Sequence, residues 1–191
     1  MADEPGFRIR RAEPADAPAL AAFAARIFAD TFGADNRPED MAAHLADRFG
    51  VRQQAAEIAD PAILTFLVEA EDRLIGYTQV RRIPPPACVA GEEPVELGRF
   101  YVDGPWHGQG LAQRLMAVVR DAALSLRGRT LWLAVWERNP RAIAFYEKCG
   151  FRDVGSQGFR LGADLQTDRV MAADLADLRA PASGVYPGGL T

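Results

Sequence analysis

Apolar residues recur every three to four positions in some stretches of this chain and every second position in others. The alternation of the two periods lays out the elements. Phe7 and Ile9 alternate with Arg8 and Arg10, predicting a first strand over residues 7–12. Pro14 and Asp16 lead into an alanine-rich helix over 17–29, with Leu20, Phe23, Ile27 and Phe28 on its core face. Residues 31–36 read as a loop. Pro38, with Glu39 and Asp40 in the first turn, opens a second helix to about residue 49, because a helix start tolerates proline and favours acids. A third helical piece over Val51–Ala59 stops at Asp60-Pro61. Ile63–Ala70 and residues 74–82 are β-rich runs around the charged turn Glu71-Asp72-Arg73, which predicts a hairpin with a bulge at Gly76. Residues 83–94, with three consecutive prolines, make a stiff loop.

The second half is organised around residues 96–112, ELGRFYVDGPWHGQGLA. A strand beginning at Glu96 ends in Gly104-Pro105, and a glycine-rich loop then opens a long helix with Leu111, Leu115, Val118, Val119, Ala122 and Leu126 at helical spacing. A loop of this kind at a helix start is an anion site, since unpaired backbone N–H groups and the helix dipole point to one spot. Its natural guest is a pyrophosphate; on this stretch alone, an ordinary glycine turn into a helix is the alternative. No Gly-Lys-Ser/Thr follows, and the dinucleotide pattern GxGxxG is absent, so neither of those phosphate loops applies. The apolar run 131–135 supplies another strand, and strand–helix–strand of this length implies a parallel pair with a right-handed crossover. A helix follows from near Asn139, placing Ala142, Phe145, Tyr146 and Cys149 on one face; residues 151–161 and 169–175 supply a closing antiparallel pair.

Length and composition narrow the class. The 191 residues suit one domain, expected over residues 1–177, with a flexible Pro/Gly/Ala-rich tail over 178–191. A net charge of −4, from 22 basic and 26 acidic residues, argues against nucleic acid as a partner. No apolar run is long enough to span a membrane, and the N-terminus lacks the apolar core of a signal peptide. The 2 cysteines, Cys88 and Cys149, have no metal-like spacing, so a reducing, cytoplasmic setting without a metal is expected.

Two motifs at a fitting distance carry a resemblance. His107-x-x-Gly110-x-Ala112 is similar to the diphosphate loop of the GNAT superfamily of acetyl-coenzyme A-dependent N-acyltransferases, in which Gln or Arg usually stands at the first position. The run Asn139…Ala142…Phe145-Tyr146-x-Lys148-x-Gly150-Phe151 resembles that family's second motif. The resemblance covers nearly the whole chain. It implies an α/β (α+β) fold: a mixed, mostly antiparallel, splayed sheet with helices on both faces.

It also implies acetyl-coenzyme A as cosubstrate and direct acetyl transfer through a tetrahedral intermediate. The pantetheine arm is expected along the strand at Phe100, Tyr101 and Val102. The diphosphate is expected on backbone donors of Gln109, Gly110, Leu111 and Ala112, with Gly108 and Gly110 keeping side chains out of the way and His107 able to donate from its ring. From the residues alone, Tyr146 is an amphipathic core tyrosine and Asn139 a helix cap; the resemblance gives Tyr146 to the leaving thiolate as general acid and Asn139 to the pantetheine. Glu96, which a period of two places on the face of Gly98, Phe100 and Val102, matches a base acting through water, or else is a strand-start carboxylate facing solvent. Cys149 reads as packing.

Asp30-Thr31-Phe32, Asn36, Glu39-Asp40-Met41, Trp106-His107-Gly108 and Gln166-Thr167-Asp168 look like the branch holding bacterial spermidine/spermine acetyltransferases. That likeness points to Asp30, Phe32, Asn36 and Glu39 for the acceptor, in a segment with seven acidic residues between Asp30 and Asp60. A small primary amine, such as a polyamine, is the implied acceptor. A peptide or protein N-acetyltransferase and a non-catalytic coenzyme A sensor are the alternatives, and monomer or homodimer stays open.

Overall fold

The computed structural model describes residues 6–178. Its strands are β1 (Arg8–Arg11), β2 (Ile63–Ala70), β3 (Arg73–Arg81), β4 (Pro94–Val102), β5 (Thr130–Trp136), β6 (Arg152–Leu161) and β7 (Asp164–Asp174). The α-helices are α1 (Ala17–Phe32), α2 (Pro38–Arg48), α3 (Val51–Ala59), α4 (Leu111–Ser125) and α5 (Pro140–Cys149). The described residues form a seven-stranded sheet in the order β1-β2-β3-β4-β5-β7-β6. Every neighbouring pair is antiparallel except β4–β5, which α4 joins by a crossover.

Helices cover both faces. On one, Leu20, Phe23 and Ile27 of α1 and Met41 of α2 pack over Leu67 and Tyr77 of the sheet. On the other, Met116, Val119 and Ala122 of α4 and Ile143 and Tyr146 of α5 pack over Val95, Leu97, Leu131 and Leu133. Each such fully buried aliphatic side chain contributes roughly 1.5–3 kcal/mol. A forgone ladder hydrogen bond costs only about 1 kcal/mol net where another partner can take its place. The two apolar layers therefore dominate, and the sheet tolerates a defect at its centre.

Several expected boundaries move, for identifiable reasons. α1 runs through residues 31 and 32, expected as loop, because the Thr31 hydroxyl donates to the Ile27 carbonyl at 2.6 Å and Phe32 lies 4.7 Å from Phe28. β7 starts at Asp164 instead of residue 169, its polar first residues pairing with β6 across a tight turn. β4 starts at Pro94, two residues before Glu96. The hairpin bulge falls at Ile75, beside the Gly76 expected to mark it: Val68 pairs with Gly76 but Glu69 with Leu74. Leu178, expected in the tail, is buried in the core, and the remainder of that tail lies outside the described residues.

The consequential irregularity is in β4. Arg99 pairs with Gln79 and Leu97 with Val80, so Gly98 is an extra residue, a bulge. The bulge breaks the period of two and corrects the placement of Glu96. Its partner in β3 is Arg81, on the face of Tyr77 and Gln79, so Glu96 lies with Arg99 and Tyr101 toward α1–α3. Leu97, Phe100 and Val102 point to the α4–α5 side. A Cβ at Gly98 would stand 2.5 Å from Arg81 Nε, so only glycine leaves room for that side chain to reach Glu96. Gly98→Ala is expected to lose about 1–3 kcal/mol in chemical denaturation, the usual cost of overpacking; wild-type stability would mean Arg81 has slack elsewhere.

Candidate active site

β4 and β5 pair over only three positions, Pro94–Thr130, Val95–Leu131 and Glu96–Trp132. Beyond them β4 continues to Val102 bonded to β3, and β5 to Trp136 bonded to β7. The two central strands therefore diverge into a fork with Glu96 at its apex. Both arms lead into helix N-termini: β4 through the glycine loop into α4, β5 through Asn139 into α5.

In the loop, Gly108 and Gly110 take left-handed backbone angles, φ 77° and 81°, which a side chain would strain. Gly110 is the N-cap of α4 and provides no side-chain cap, so the first N–H groups of the helix have no intrahelical acceptor. The Gln109 side chain turns back to bond the Pro105 carbonyl at 2.7 Å. His107 Nε2 lies 2.7 Å from the Val102 carbonyl. A carbonyl only accepts, so Nε2 carries the hydrogen. Burial, with the charge of Arg141, holds the imidazole below its ordinary pKa. The neutral ring's one donor is thus committed to the end of β4, and only Nδ1, an acceptor, remains. His107 braces the strand end and, in this tautomer, has no ring donor for an anion. Arg141, absent from the sequence reading, stands in the first turn of α5 close enough to act on His107. A cation in a first helical turn opposes the helix dipole, and that was the available signal.

Asn139 accepts from the Ala142 N–H at 3.1 Å, capping α5. At the other end of α5 the Phe151 N–H bonds the Tyr146 carbonyl at 3.0 Å, fixing the backbone that carries the tyrosine. The Tyr146 ring is held edge-on by Phe100, Phe145 and Phe151 at 6.3, 5.6 and 5.6 Å. Phe100 comes from β4 and Tyr146 from the helix after β5, so this contact spans the fork. Burial raises the Tyr146 pKa, with Cys149 adding to it, and the phenol stays protonated at neutral pH. Burial also pushes the Cys149 thiol up to about 12, which leaves it no nucleophilic thiolate.

Glu96 is 6% exposed and receives Arg81 Nε and Nη2 on one oxygen at 2.7 and 2.6 Å. Burial raises its pKa against the lowering effect of Arg81. Tyr101, beyond the bulge, stacks on Tyr77 at 5.4 Å. Two of the residues expected to meet the acceptor are brought to this face: Phe32 lies 5.8 Å from Trp136, and Asn36 Oδ1 accepts from Gln166 at 2.5 Å. The other two stay on the surface, Asp30 paired with Arg26 at 3.0 Å and Glu39 with Arg37 at 2.7 Å.

The sequence profile described as the acetyltransferase (GNAT) family matches residues 23–151. An uncharacterised N-acetyltransferase of Mycobacterium bovis is 32% identical over 160 residues, 84% of this chain and 98% of that protein. A spermine/spermidine N(1)-acetyltransferase of Bacillus subtilis is 28% identical over 82 residues, 42% of this chain and 50% of that protein. Among solved structures, the PaiA N-acetyltransferase from Thermoplasma acidophilum in complex with coenzyme A superposes with a TM-score of 0.71 at 18% identity, covering 89% of this chain and 99% of that one. Among the described residues no helix is long and apolar enough to cross a membrane, and no cluster of metal-ligating side chains occurs.

The assigned state of His107 has a direct check. Nitrogen-15 spectra of the ring should show the Nε2–H tautomer at pH 7 and a titration midpoint below the ordinary 6.5. With the folded value depressed, the stability from the neutral ring is present above the unfolded pKa and is lost as pH falls through the folded one. A midpoint above 6.5 would mean the ring meets an anion instead.

Proposed function

Since the chain belongs to the GNAT acetyltransferase family, we propose that this N-acetyltransferase moves an acetyl group from acetyl-coenzyme A directly to a primary amine, a polyamine or similar small cation. The observation that carries the reading is the fork, with strand backbone along its arm and an anion-binding loop at its open end. The residues fit the cosubstrate. Among the described residues, the edge of β4 toward β5 has no strand partner beyond Glu96, which suits the amides of a pantetheine arm. A Cβ built on Gly108 meets nothing within 4 Å, so the loop surface is open to a diphosphate.

Bound acetyl-coenzyme A supplies the acetyl group activated as a thioester. The N–H groups of Gln109, Gly110, Leu111 and Ala112 hold the diphosphate, while Phe100 and Val102 turn backbone N–H groups to the arm; Tyr101, between them, faces its backbone to Tyr77 of β3. Asn139 stands where β5 gives way to α5, beside the same arm. Tyr146, protonated and fixed by three aromatic rings, gives its proton to the leaving sulfur. An alkyl amine with a pKa near 10.4 is neutral in only on the order of one molecule in a thousand at pH 7, so a base must act before the attack. Glu96 takes that proton through water: burial makes it more basic than an ordinary carboxylate, and Arg81 holds one of its oxygens in place. The polyamine identity is supported by the partial likeness to the Bacillus enzyme, and Phe32 and Asn36 border the acceptor in this reading.

An assay of coenzyme A release over a panel of amines tests the reaction; no release with any amine would leave only cofactor binding. Gly110→Asp places bulk and negative charge beside the phosphates and should weaken acetyl-coenzyme A binding at least about tenfold, with the fold intact. Unchanged affinity in calorimetry would move the diphosphate elsewhere. Tyr146→Phe removes only the hydroxyl, and single-turnover rates should drop by roughly 10²–10⁴. Wild-type rates would take the acid role from Tyr146.

A further inference from the structure

Most acidic residues between Asp30 and Asp60 are already engaged. Asp40 accepts from the Ala163 N–H at 2.8 Å, Glu57 accepts from Gln79 at 2.9 Å and lies 3.4 Å from Arg99, and Asp60 accepts from the Ala62 N–H at 2.8 Å. Asp168 on β7 differs. It is 8% exposed, yet among the described residues no hydrogen bond or ion pair reaches its carboxylate. Buried carboxylates ordinarily have a cation or several donors, because the desolvated charge is otherwise costly. The charge that presses on this one is Glu137, of the same sign, and burial with that neighbour pushes its carboxyl up to about 6.

Its position gives the orphan charge a use. Asp168 pairs with Trp136 of β5, so it lies on the face of Trp132 and Glu96, toward α1–α3. Across the fork it is within electrostatic reach of Tyr101, which is also within reach of Tyr146. Between Trp132 and Trp136 that face of β5 carries Ala134, paired with the buried Val170 of β7. Trp136, with Phe32 against it, adds an aromatic wall of the kind that attracts cations.

We infer that Asp168 is the counter-ion of the acceptor: it receives an ammonium group of a cationic amine bound on this face of the fork, and Glu137 reinforces the negative potential. The inference deepens the proposed acetyl transfer and rests on it for the identity of the face, while the binding itself can be measured without turnover. Among the described residues, the titratable groups that reach Asp168 are Glu137, from the loop after β5, and Tyr101 from β4. Arg99, on the same face, acts on Tyr101 and is paired with Glu57.

The test uses the full chain and spermidine as probe. Asp168→Asn keeps the shape and should weaken spermidine binding in calorimetry by about 10- to 100-fold, the usual loss for a desolvated charge-assisted contact, with coenzyme A affinity unchanged. Glu137→Gln, at an exposed position, should cost severalfold. Thermal melts give a second readout. A carboxyl raised from 3.8 to about 6 contributes stability that is present below 3.8 and lost as pH rises through about 6. The Asn variant should therefore melt with wild type near pH 4 and above it beyond pH 6, and spermidine should close that gap by stabilising wild type alone. Equal spermidine affinity in the Asn variant and wild type, or a wild type that binds coenzyme A but neither spermidine nor shorter diamines, overturns the inference. Asp168-dependent binding without acetylation of any amine would count against the proposed reaction and leave the counter-ion standing.

Discussion

A parallel ladder that stops after three residue pairs, in the middle of a seven-stranded sheet, is the constraint on which the rest of the molecule depends. Central strands normally satisfy both edges, since buried backbone donors and acceptors left unpaired are costly. Here β3 serves one edge of β4 and β7 one edge of β5, and from residues 97 and 133 onward the facing edges are not bonded to each other. The apolar layers on either face hold the arms in register while they separate. Because each arm runs into the start of a helix, the fork opens toward two helix N-termini, which concentrate unpaired N–H groups and positive potential. A guest with amides along its length and a diphosphate at its end matches what the fork leaves unmet.

The bulge at Gly98 divides the chemistry between the two faces. Had β4 kept its period, Glu96 would lie with Phe100 against α5; the extra residue sends it to the α1–α3 side, with Arg99 and Tyr101. Phe100 then meets Tyr146 on one face while the carboxylates gather on the other. In the Arg81–Glu96 pair at the apex the carboxylate is buried and the guanidinium partly so, and such pairs seldom add net stability once desolvation is counted. Its value lies in fixing the carboxylate where the strands part. Asp168, without such a partner, costs the fold more and is the carboxylate free to meet a cation.

Much of this was legible in the residues, and what was not has a common cause. The hairpin followed from alternation around a charged turn, with β3 one residue earlier than expected and its bulge at Ile75 beside Gly76, and β2 and α3 fall on the expected residues. The glycine loop opens α4 and Asn139 caps α5 as their residue types suggested. The bulge at Gly98 was hidden because a glycine in an apolar strand is equally consistent with unbroken pairing; only the register with β3 shows the extra residue. The acidic stretch from Asp30 to Asp60 shows its charges in the sequence but not their partners, so the pairing of Asp30 with Arg26 and of Glu39 with Arg37 was not legible. The bond from His107 to the Val102 carbonyl was hidden in the same way. In the sequence Asp168 stands out only through the likeness carried by Gln166-Thr167-Asp168; its isolation is a property of three dimensions.

Backbone amide spectra recorded while coenzyme A is titrated into the labelled protein test the fork most directly, because they report on the N–H groups that are meant to bind. The expected result is that Gln109, Gly110, Leu111 and Ala112 show the largest downfield shifts, with Phe100 and Val102 moving along the same arm. Saturable binding that left those six amides in place and moved signals elsewhere would contradict the assignment of the fork as the cofactor site.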